Sequence, residues 1–398
     1  EATRARVRAA PGTVLILHDT THFVFQRESA GGFGLIGAAC LDTGSRPGRR
    51  RRDITVRGLL MHSSMALTPD GVPLGLAAAK FWSRQQFKGA NALRRQVNPT
   101  RIPIEEKESH RWLENLRESG RLLGNPERQV HIGDRESDIY ELFRTAQSEH
   151  THFLVRTCVD RLADEEGHTV AKAMEKPDGS GSHVLFFDAG SGRVEEARLD
   201  VRWRRLRILP PVGKQARWPG LELTVIHAME RGAPAGCEPI DWKLLTSLPV
   251  SSLEEAVEKM DWYALRWKIE TFHKILKSGC RAEDSQLRTS ERVVKLIALY
   301  CVVSWRVFWM TMLNRANPRA EPSLVLTQEE QAVLDAAVPP KSGHPPYSTL
   351  GDYLKALARL GGWLARAGDS PPGNMVIWRG WRRLGDMVLG FKIAKIYG

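Results

Sequence analysis

Three acidic residues stand where strands and helices could bring carboxylates together. Asp19 follows the apolar, β-branched run 13–17, Asp134 follows the run 129–132, and Glu270 lies in 252–277, whose apolar residues recur at helical spacing. Carboxylates are the hard oxygen ligands that Mg²⁺ and Mn²⁺ prefer, each ion taking one or two of them together with water and phosphate oxygens. Two such ions, about 3.5–4 Å apart, would neutralise the attacking and leaving oxygens of an in-line displacement at phosphorus. Taken singly, each acid has a plainer role. An Asp after a strand commonly caps a turn, and Arg266 with Glu270 reads as an i,i+4 surface ion pair worth about 0.3–0.5 kcal/mol. Glu136 and Asp138 are chemical rivals to Asp134 and read as acids at a helix start.

The elements that must position these acids follow from periodicity and turn residues. Runs 13–17 and 22–25 predict adjacent strands, which puts Asp19 at a strand end. Runs 59–67 and 72–79 flank Pro69-Asp70-Gly71 and predict a hairpin, so the sheet begins antiparallel. A helix over 109–123 then leads to strand 129–132, a helix beginning at 137–143 with Ser137 as its cap, and strand 152–156. From about 160 to 240, Gly, Pro and Ser clusters separate short alternating runs, the texture of an inserted β-rich subdomain. A Pro/Gly-rich break at 339–346 precedes two last helical stretches, 353–367 and 378–393. The expected division is a catalytic core over 1–160 and 241–300, an insertion over 161–240, and a helical domain over 301–398.

On a helical wheel with Tyr263 at zero, Arg266, Glu270, Lys274 and Lys277 fall at about 300°, 340°, 20° and 320°. They share one polar stripe beside the apolar residues Trp262, Leu265, Ile269, Phe272 and Leu276, which would pack the helix onto the sheet.

Composition bounds the rest. With 398 residues, of which 42% are hydrophobic, the chain can bury two or three substantial cores, which excludes a disordered chain. Lys and Arg outnumber Asp and Glu by 58 to 46, a net charge of +12 that favours polyanionic partners such as nucleic acid. The densest basic run, Arg46 with Arg49 to Arg52, reads as an exposed loop. Five dispersed cysteines without a C-x-x-C pair suggest neither a zinc site nor a disulfide framework, and fit a reducing cytoplasm. The most apolar stretch, 296–312, is interrupted by Arg306, falls short of a membrane span and reads as a buried helix.

The spacing Tyr263-x2-Arg266-x3-Glu270-x6-Lys277 resembles the Y-x2-R-x3-E-x6-K signature of bacterial cut-and-paste transposases of the IS-four family. His18-Asp19-Thr20-Thr21 and Gly133-Asp134-Arg135-Glu136-Ser137-Asp138 resemble that family's first and second aspartate motifs, and Trp242-Lys-Leu-Leu-Thr246 its W-x-L-L-T run. The resemblance implies an RNase-H-like α/β catalytic core with a mixed sheet, a β-rich insertion and a helical C-terminal domain. It implies Asp19, Asp134 and Glu270 as catalytic metal ligands, with two Mg²⁺ per site and Mn²⁺ able to substitute. It implies Trp242 as the ring for a base flipped out of the DNA, and Tyr263, Arg266, Lys277 and Arg156 as phosphate contacts. His273 and Lys274 fall on or next to the polar stripe and are within reach of DNA, but lone helix residues of this kind more often only solubilise a surface; of the two, Lys274 is taken as a further contact. The partners implied are double-stranded DNA, as transposon ends and target, and a second copy of the chain on paired ends; no membrane is expected. The family also has an N-terminal end-recognition domain, and a chain opening on Glu1-Ala-Thr-Arg is expected to have lost it. Two rival expectations are a non-catalytic inhibitor or host-adopted DNA-binding relic, and a purely hydrolytic nuclease of the same fold. For the helical tail, Trp378, Trp381, Leu384, Val388 and Phe391 are expected to form one apolar face.

Overall fold

The computed structural model describes residues 1–25, 33–41, 52–84, 102–163, 168–188, 194–233, 236, 238–340, 343, 345–366 and 368–397. The Arg46 and Arg49 to Arg51 cluster lies outside them, and of Arg52 only the backbone is described.

Among the described residues twelve strands form one mixed sheet. They are β1 (Val14–Val24), β2 (Gly34–Leu41), β3 (Arg52–Leu67), β4 (Pro73–Trp82), β5 (Gln129–Gly133), β6 (His152–Arg156), β7 (Leu162–Ala163), β8 (His168–Thr169), β9 (Gly179–Asp188), β10 (Val194–Ile208), β11 (Leu221–Arg231) and β12 (Asp241–Thr246). The order is β2-β3-β1-β5-β6-β12-β11-β10-β7-β8, with β4 on β3 and β9 on β10. The β1–β5 and β5–β6 pairs are parallel, and the flanking ladders are antiparallel.

Several expectations change at this level. The runs either side of Thr20-Thr21 are one strand, because both threonines stay in the ladder opposite His62 and Met61 of β3. Asp19 is therefore mid-strand, not at a strand end; what ends beside it is its parallel partner β5. The predicted hairpin forms as β3–β4, closed by Thr68 N–H donating to the Val72 carbonyl at 3.0 Å. The stretch 161–240 is β-rich, yet its strands continue the same sheet, joined through β12 to β6 with Leu244 opposite Arg156.

The helices are α1 (Ala2–Ala9), α2 (His110–Leu123), α3 (Tyr140–Ser148), the short α4 (Val170–Ala173), α5 (Leu253–Ala264), α6 (Trp267–Lys274), α7 (Ser290–Ala316), α8 (Gln328–Ala337), α9 (Leu350–Leu360) and α10 (Asn374–Tyr397). Ser137 does not cap α3. It sits in a 3₁₀ turn, Arg135–Ser137, and its hydroxyl donates to the Asp134 carbonyl, while Ile139 occupies the cap position.

The single helix expected over 252–277 is two helices followed by one π turn, Ile275–Gly279. Between α5 and α6 the hydrogen bonds shorten to i+3, from Arg266 N–H to Tyr263, Lys268 N–H to Leu265 and Ile269 N–H to Arg266. Neither Gly nor Pro lies between Leu253 and Lys277, so packing rather than local propensity breaks the helix. The polar stripe is correspondingly less regular than a uniform 100° wheel allows.

One large core joins Leu15, Leu17, Val130 and Ile132 of the sheet to Ile269 and Phe272 of α6, and runs on into α7, α9 and α10. A second core packs α2 and α3 on the opposite face, against Phe153, Val155 and Leu245. Helix α7 spans 27 residues and contains an 18-residue window of mean hydropathy 1.7, long and apolar enough to cross a membrane by those measures alone. One side, through Val293, Ile297, Cys301 and Phe308, lies in the core, whereas Leu299 and Val302 are exposed, so the expected buried helix is buried on one side. In α10, Leu384 is buried and Trp378, Trp381 and Val388 pack on the chain's own core, whereas Phe391 is exposed. The apolar face of that helix is thus used internally as far as Val388.

Candidate active site

Sheet register creates the site. Leu17 of β1 pairs with Ile132 of β5, and Gly133 of β5 pairs with Val155 of β6. Continuing each register brings Asp19 opposite Asp134 and Asp134 opposite Arg156, on strands about 4.8 Å apart. Side chains alternate along a strand, so Asp19 shares a face with Leu15 and Leu17, and Asp134 with Val130 and Ile132. Those four apolar residues pack under α6, which therefore covers the acid-bearing face and carries Glu270 to it. Gly133 is required just before Asp134, because a Cβ there would lie 2.4 Å from Ser137 Oγ and 2.8 Å from the Trp112 ring.

Arg266 links the acids. Its Nη2 lies 3.0 Å from Glu270 Oε1 and its Nη1 3.9 Å from Asp19 Oδ1. Burial opposes its charge, but Tyr263, Glu270, Asp19 and Asp134 favour it, and the guanidinium pKa ends above its usual value. Its Nε is buried without a hydrogen-bond partner. Glu270 is held above the usual carboxylate range by burial and then by the Asp19 charge, against the pull of Arg266. Asp134 is likewise raised, by burial first and also by Asp19, while the Glu136 N–H and the charges of Arg266 and Arg111 pull it down. Asp19 is the member each of the other two acids senses.

The residue that sequence reasoning undervalued is His273. It is buried, with Nδ1 3.3 Å from Asp19 Oδ2 and Nε2 2.8 Å from Ser63 Oγ, and Ser63 is the β3 residue paired with Asp19. Its position three residues after Glu270 was the available signal, since i and i+3 share a helix face. Behind the acids, His18, His62 and His131 are buried on the other face around Trp112. His18 Nε2 meets His131 Nδ1 at 2.8 Å, His18 Nδ1 meets Ser64 Oγ at 2.9 Å, and His62 Nδ1 meets Thr20 Oγ1 at 2.9 Å. Burial holds all three imidazoles far below their usual pKa, His18 at about 3, so they are neutral packing groups.

Geometry separates the rival acids near Asp134. Asp138 is fully buried and accepts from Arg161 Nε at 3.0 Å, Thr157 Oγ1 at 2.8 Å and the backbone N–H groups of Cys158 and Val159, so its oxygens are committed to the fold. Glu136 pairs with Arg111. Asp134 does act as a turn cap, its Oδ1 accepting from Glu136 N–H at 2.9 Å, which leaves the other carboxylate oxygen available.

The remaining expected residues divide. Tyr263 is buried, and Trp242 meets it edge to face, ring centroids 5.4 Å apart. Arg156 donates to the Asp241 carbonyl at 2.8 Å. Lys277 lies beyond the acids, its Nζ 5.8 Å from the Phe23 ring centre. Lys274 is exposed at the end of α6. Among the described residues no three His, Cys, Asp or Glu side chains are gathered closely enough to enclose one ion. The acids associate pairwise through Asp19, with a guanidinium between two of them. A donor set of this kind fits Mg²⁺, which takes one or two carboxylates and completes its shell with water and substrate phosphate.

A mixed sheet whose parallel strands deliver two acids in one row, with a covering helix that delivers a third, is the architecture of RNase-H-like phosphoryl-transfer proteins. Residues 105–305, just over half of the chain, match the transposase DDE domain family, and the chain belongs to that family. The matched span includes Asp134, Glu270 and all the expected DNA contacts; Asp19 precedes it, so its assignment rests on the β1–β5 register.

Proposed function

We propose that the chain is a metal-dependent cut-and-paste DNA transposase of the Tn-five-like branch of the IS-four family, with Asp19, Asp134 and Glu270 as its catalytic acids. What supports this reading is the β1–β5–β6 register, which continued one or two residues past the paired positions aligns Asp19, Asp134 and Arg156, with Glu270 tied to Asp19 through Arg266. Two Mg²⁺ ions, or Mn²⁺ in their place, would when bound neutralise the oxygens entering and leaving phosphorus and activate a water or a 3′-hydroxyl. The chain's own residues do the rest. His273 orients Asp19, the Glu136 N–H orients Asp134, and Arg266 can exchange its carboxylate partners for the scissile phosphate. Trp242, half-buried against Tyr263, offers a ring to a flipped base, whose removal from the stack costs a few kcal/mol and lets the duplex bend into a hairpin. Arg156, Lys277 and Lys274 hold flanking phosphates. The reaction sequence is nicking, hairpin formation, hairpin opening and strand transfer, carried out by a homodimer on paired ends in the bacterial cytoplasm, at the nucleoid.

The test is a strand-labelled duplex carrying the element ends, incubated with the chain and Mg²⁺ and resolved on denaturing gels. Metal-dependent nicks and hairpins that vanish in Glu270→Gln, and hairpins alone lost in Trp242→Ala, are expected. Nicks without hairpins would replace the reading with simple hydrolysis. Binding without any cleavage would replace it with a non-catalytic DNA-binding role.

A further inference from the structure

On the face of the sheet opposite the acids, a cavity of about 600 Å³ opens between the loop after β6, the short helix α4 and the strands β10, β11 and β12. Its floor is apolar, from Val170, Met174 and Val225, and its rim carries Arg135, Arg202 and Lys243. Arg202 pairs in register with His227, and His227 with Lys243, which sets three basic side chains side by side on one face. Asp241 answers the middle one, His227, and leaves Arg202 and Lys243 on the strands either side of it without a counter-charge. Among the described residues the side chains of Arg135, Arg202 and Lys243 have no hydrogen-bond or ion-pair partner, while each carboxylate of the lining is already engaged. Asp241 pairs with His227 at 2.8 Å, Glu175 with Lys172 at 2.7 Å, and Asp160 accepts from Ala171 N–H at 2.9 Å.

We infer that this cavity binds one unpaired nucleotide of a DNA strand, its phosphate on Arg202 and Lys243 and its base on the apolar floor; the inference rests on the reading that the acid row acts on DNA. A duplex about 20 Å wide presents no free base face to such a floor, whereas a single strand does. A continuous strand is favoured over a free nucleotide because Arg156 belongs to both places. It lines the cavity and stands next to Asp134 in the row of acids, so a strand passing the row reaches the cavity around the end of β6.

The experiment titrates the chain with a fluorescent single-stranded oligonucleotide over a range of salt, for the wild type, Arg202→Ala/Lys243→Ala, Arg202→Lys and the remote control Lys295→Ala. Removing the two side chains that hold this one phosphate should weaken binding about tenfold or more and reduce the salt slope by roughly 0.7, the value for one phosphate on a single strand. Arg202→Lys should retain most of the affinity, and Lys295→Ala all of it. In parallel, alkylation of the exposed Cys158 on the cavity wall, mapped by mass spectrometry, should be slowed by the oligonucleotide and not by inorganic phosphate or a mononucleotide at equal concentration. An unchanged affinity and salt slope in the double variant would overturn the inference, as would protection of Cys158 by the mononucleotide alone. Duplex cleavage by the wild type is scored separately. Loss of cleavage with oligonucleotide binding intact counts against the proposed chemistry, and cleavage with no effect of the double variant counts against the cavity.

Discussion

Replacing His273 by Ala removes the N–H that faces Asp19 Oδ2 and the acceptor that faces Ser63 Oγ. A neutral imidazole has one N–H, so a ring that accepts the Ser63 O–H at Nε2 must carry its proton on Nδ1, toward Asp19. At 3.3 Å the Nδ1–Asp19 approach is an electrostatic contact rather than a formed hydrogen bond, so the roughly 1.5–3 kcal/mol of a hydrogen bond to a charged group, about 10- to 100-fold in an equilibrium constant, is its ceiling. Outer-shell partners of metal-binding carboxylates act over the same range. The expected result is therefore a rise of up to about 100-fold in the half-saturating Mg²⁺ concentration for cleavage, with the maximal rate at saturating metal much less affected. His273→Asn, whose amide can occupy the Nδ1 position, should recover most of the metal affinity. His273→Gln, whose amide reaches toward Ser63 instead, should not. The assay is single-turnover cleavage across a Mg²⁺ titration, with unfolding curves to show that each variant is folded. An unchanged Mg²⁺ midpoint together with a reduced maximal rate would refute the reasoning, because a residue that only packs does not discriminate Asn from Gln through metal affinity.

Further outcomes follow from the surroundings of the site. His62 and His131 are held neutral in the fold by burial, so the unfolded chain binds protons that the folded chain refuses below about pH 6.5. Their contribution to stability is fully present above that pH and is lost as pH falls through it, at up to about 1.4 kcal/mol per pH unit for each, measurable as a falling urea midpoint between about pH 6.5 and pH 5. Asp138→Ala leaves the buried Arg161 guanidinium without its counter-charge and should cost about 3–5 kcal/mol in denaturant unfolding, whereas a loss under about 1 kcal/mol would show that Asp138 does not hold the loop. Gly133→Ala places a methyl group against Ser137 and Trp112 and should displace Asp134, lowering cleavage more than it lowers DNA binding.

What the sequence disclosed and what it hid divide along physical lines. Asp134 and Glu270 were legible because a short strand and an amphipathic helix have strong local periodicity, and the motif spacing falls on them. The continuity of β1 was not, because Thr20 and Thr21 are both polar and β-branched. They look like a turn and fit a strand equally well, and only their pairing with His62 and Met61 decides. Nothing local announces that Asp19 and Asp134 share a register, since that depends on β1 lying parallel to a strand more than a hundred residues away. The break between α5 and α6 was hidden for the converse reason: the sequence there favours helix throughout, and packing overrides it. His273 read as a surface residue because a single histidine on a helix usually is one. Its burial depends on Ser63 and Asp19, which periodicity cannot bring to it.

The most direct test of the central claim is to count Mn²⁺ ions bound by the chain in complex with a DNA end, using electron paramagnetic resonance of free Mn²⁺, for the wild type, Asp19→Asn, Asp134→Asn and Glu270→Gln. If Asp19 is the acid shared between the other two, Asp19→Asn should lose essentially all tight binding, and each of the other variants should lose part of it. Tight Mn²⁺ binding that survives Asp19→Asn unchanged would contradict the account, because the site would then be built without the strand register on which it rests.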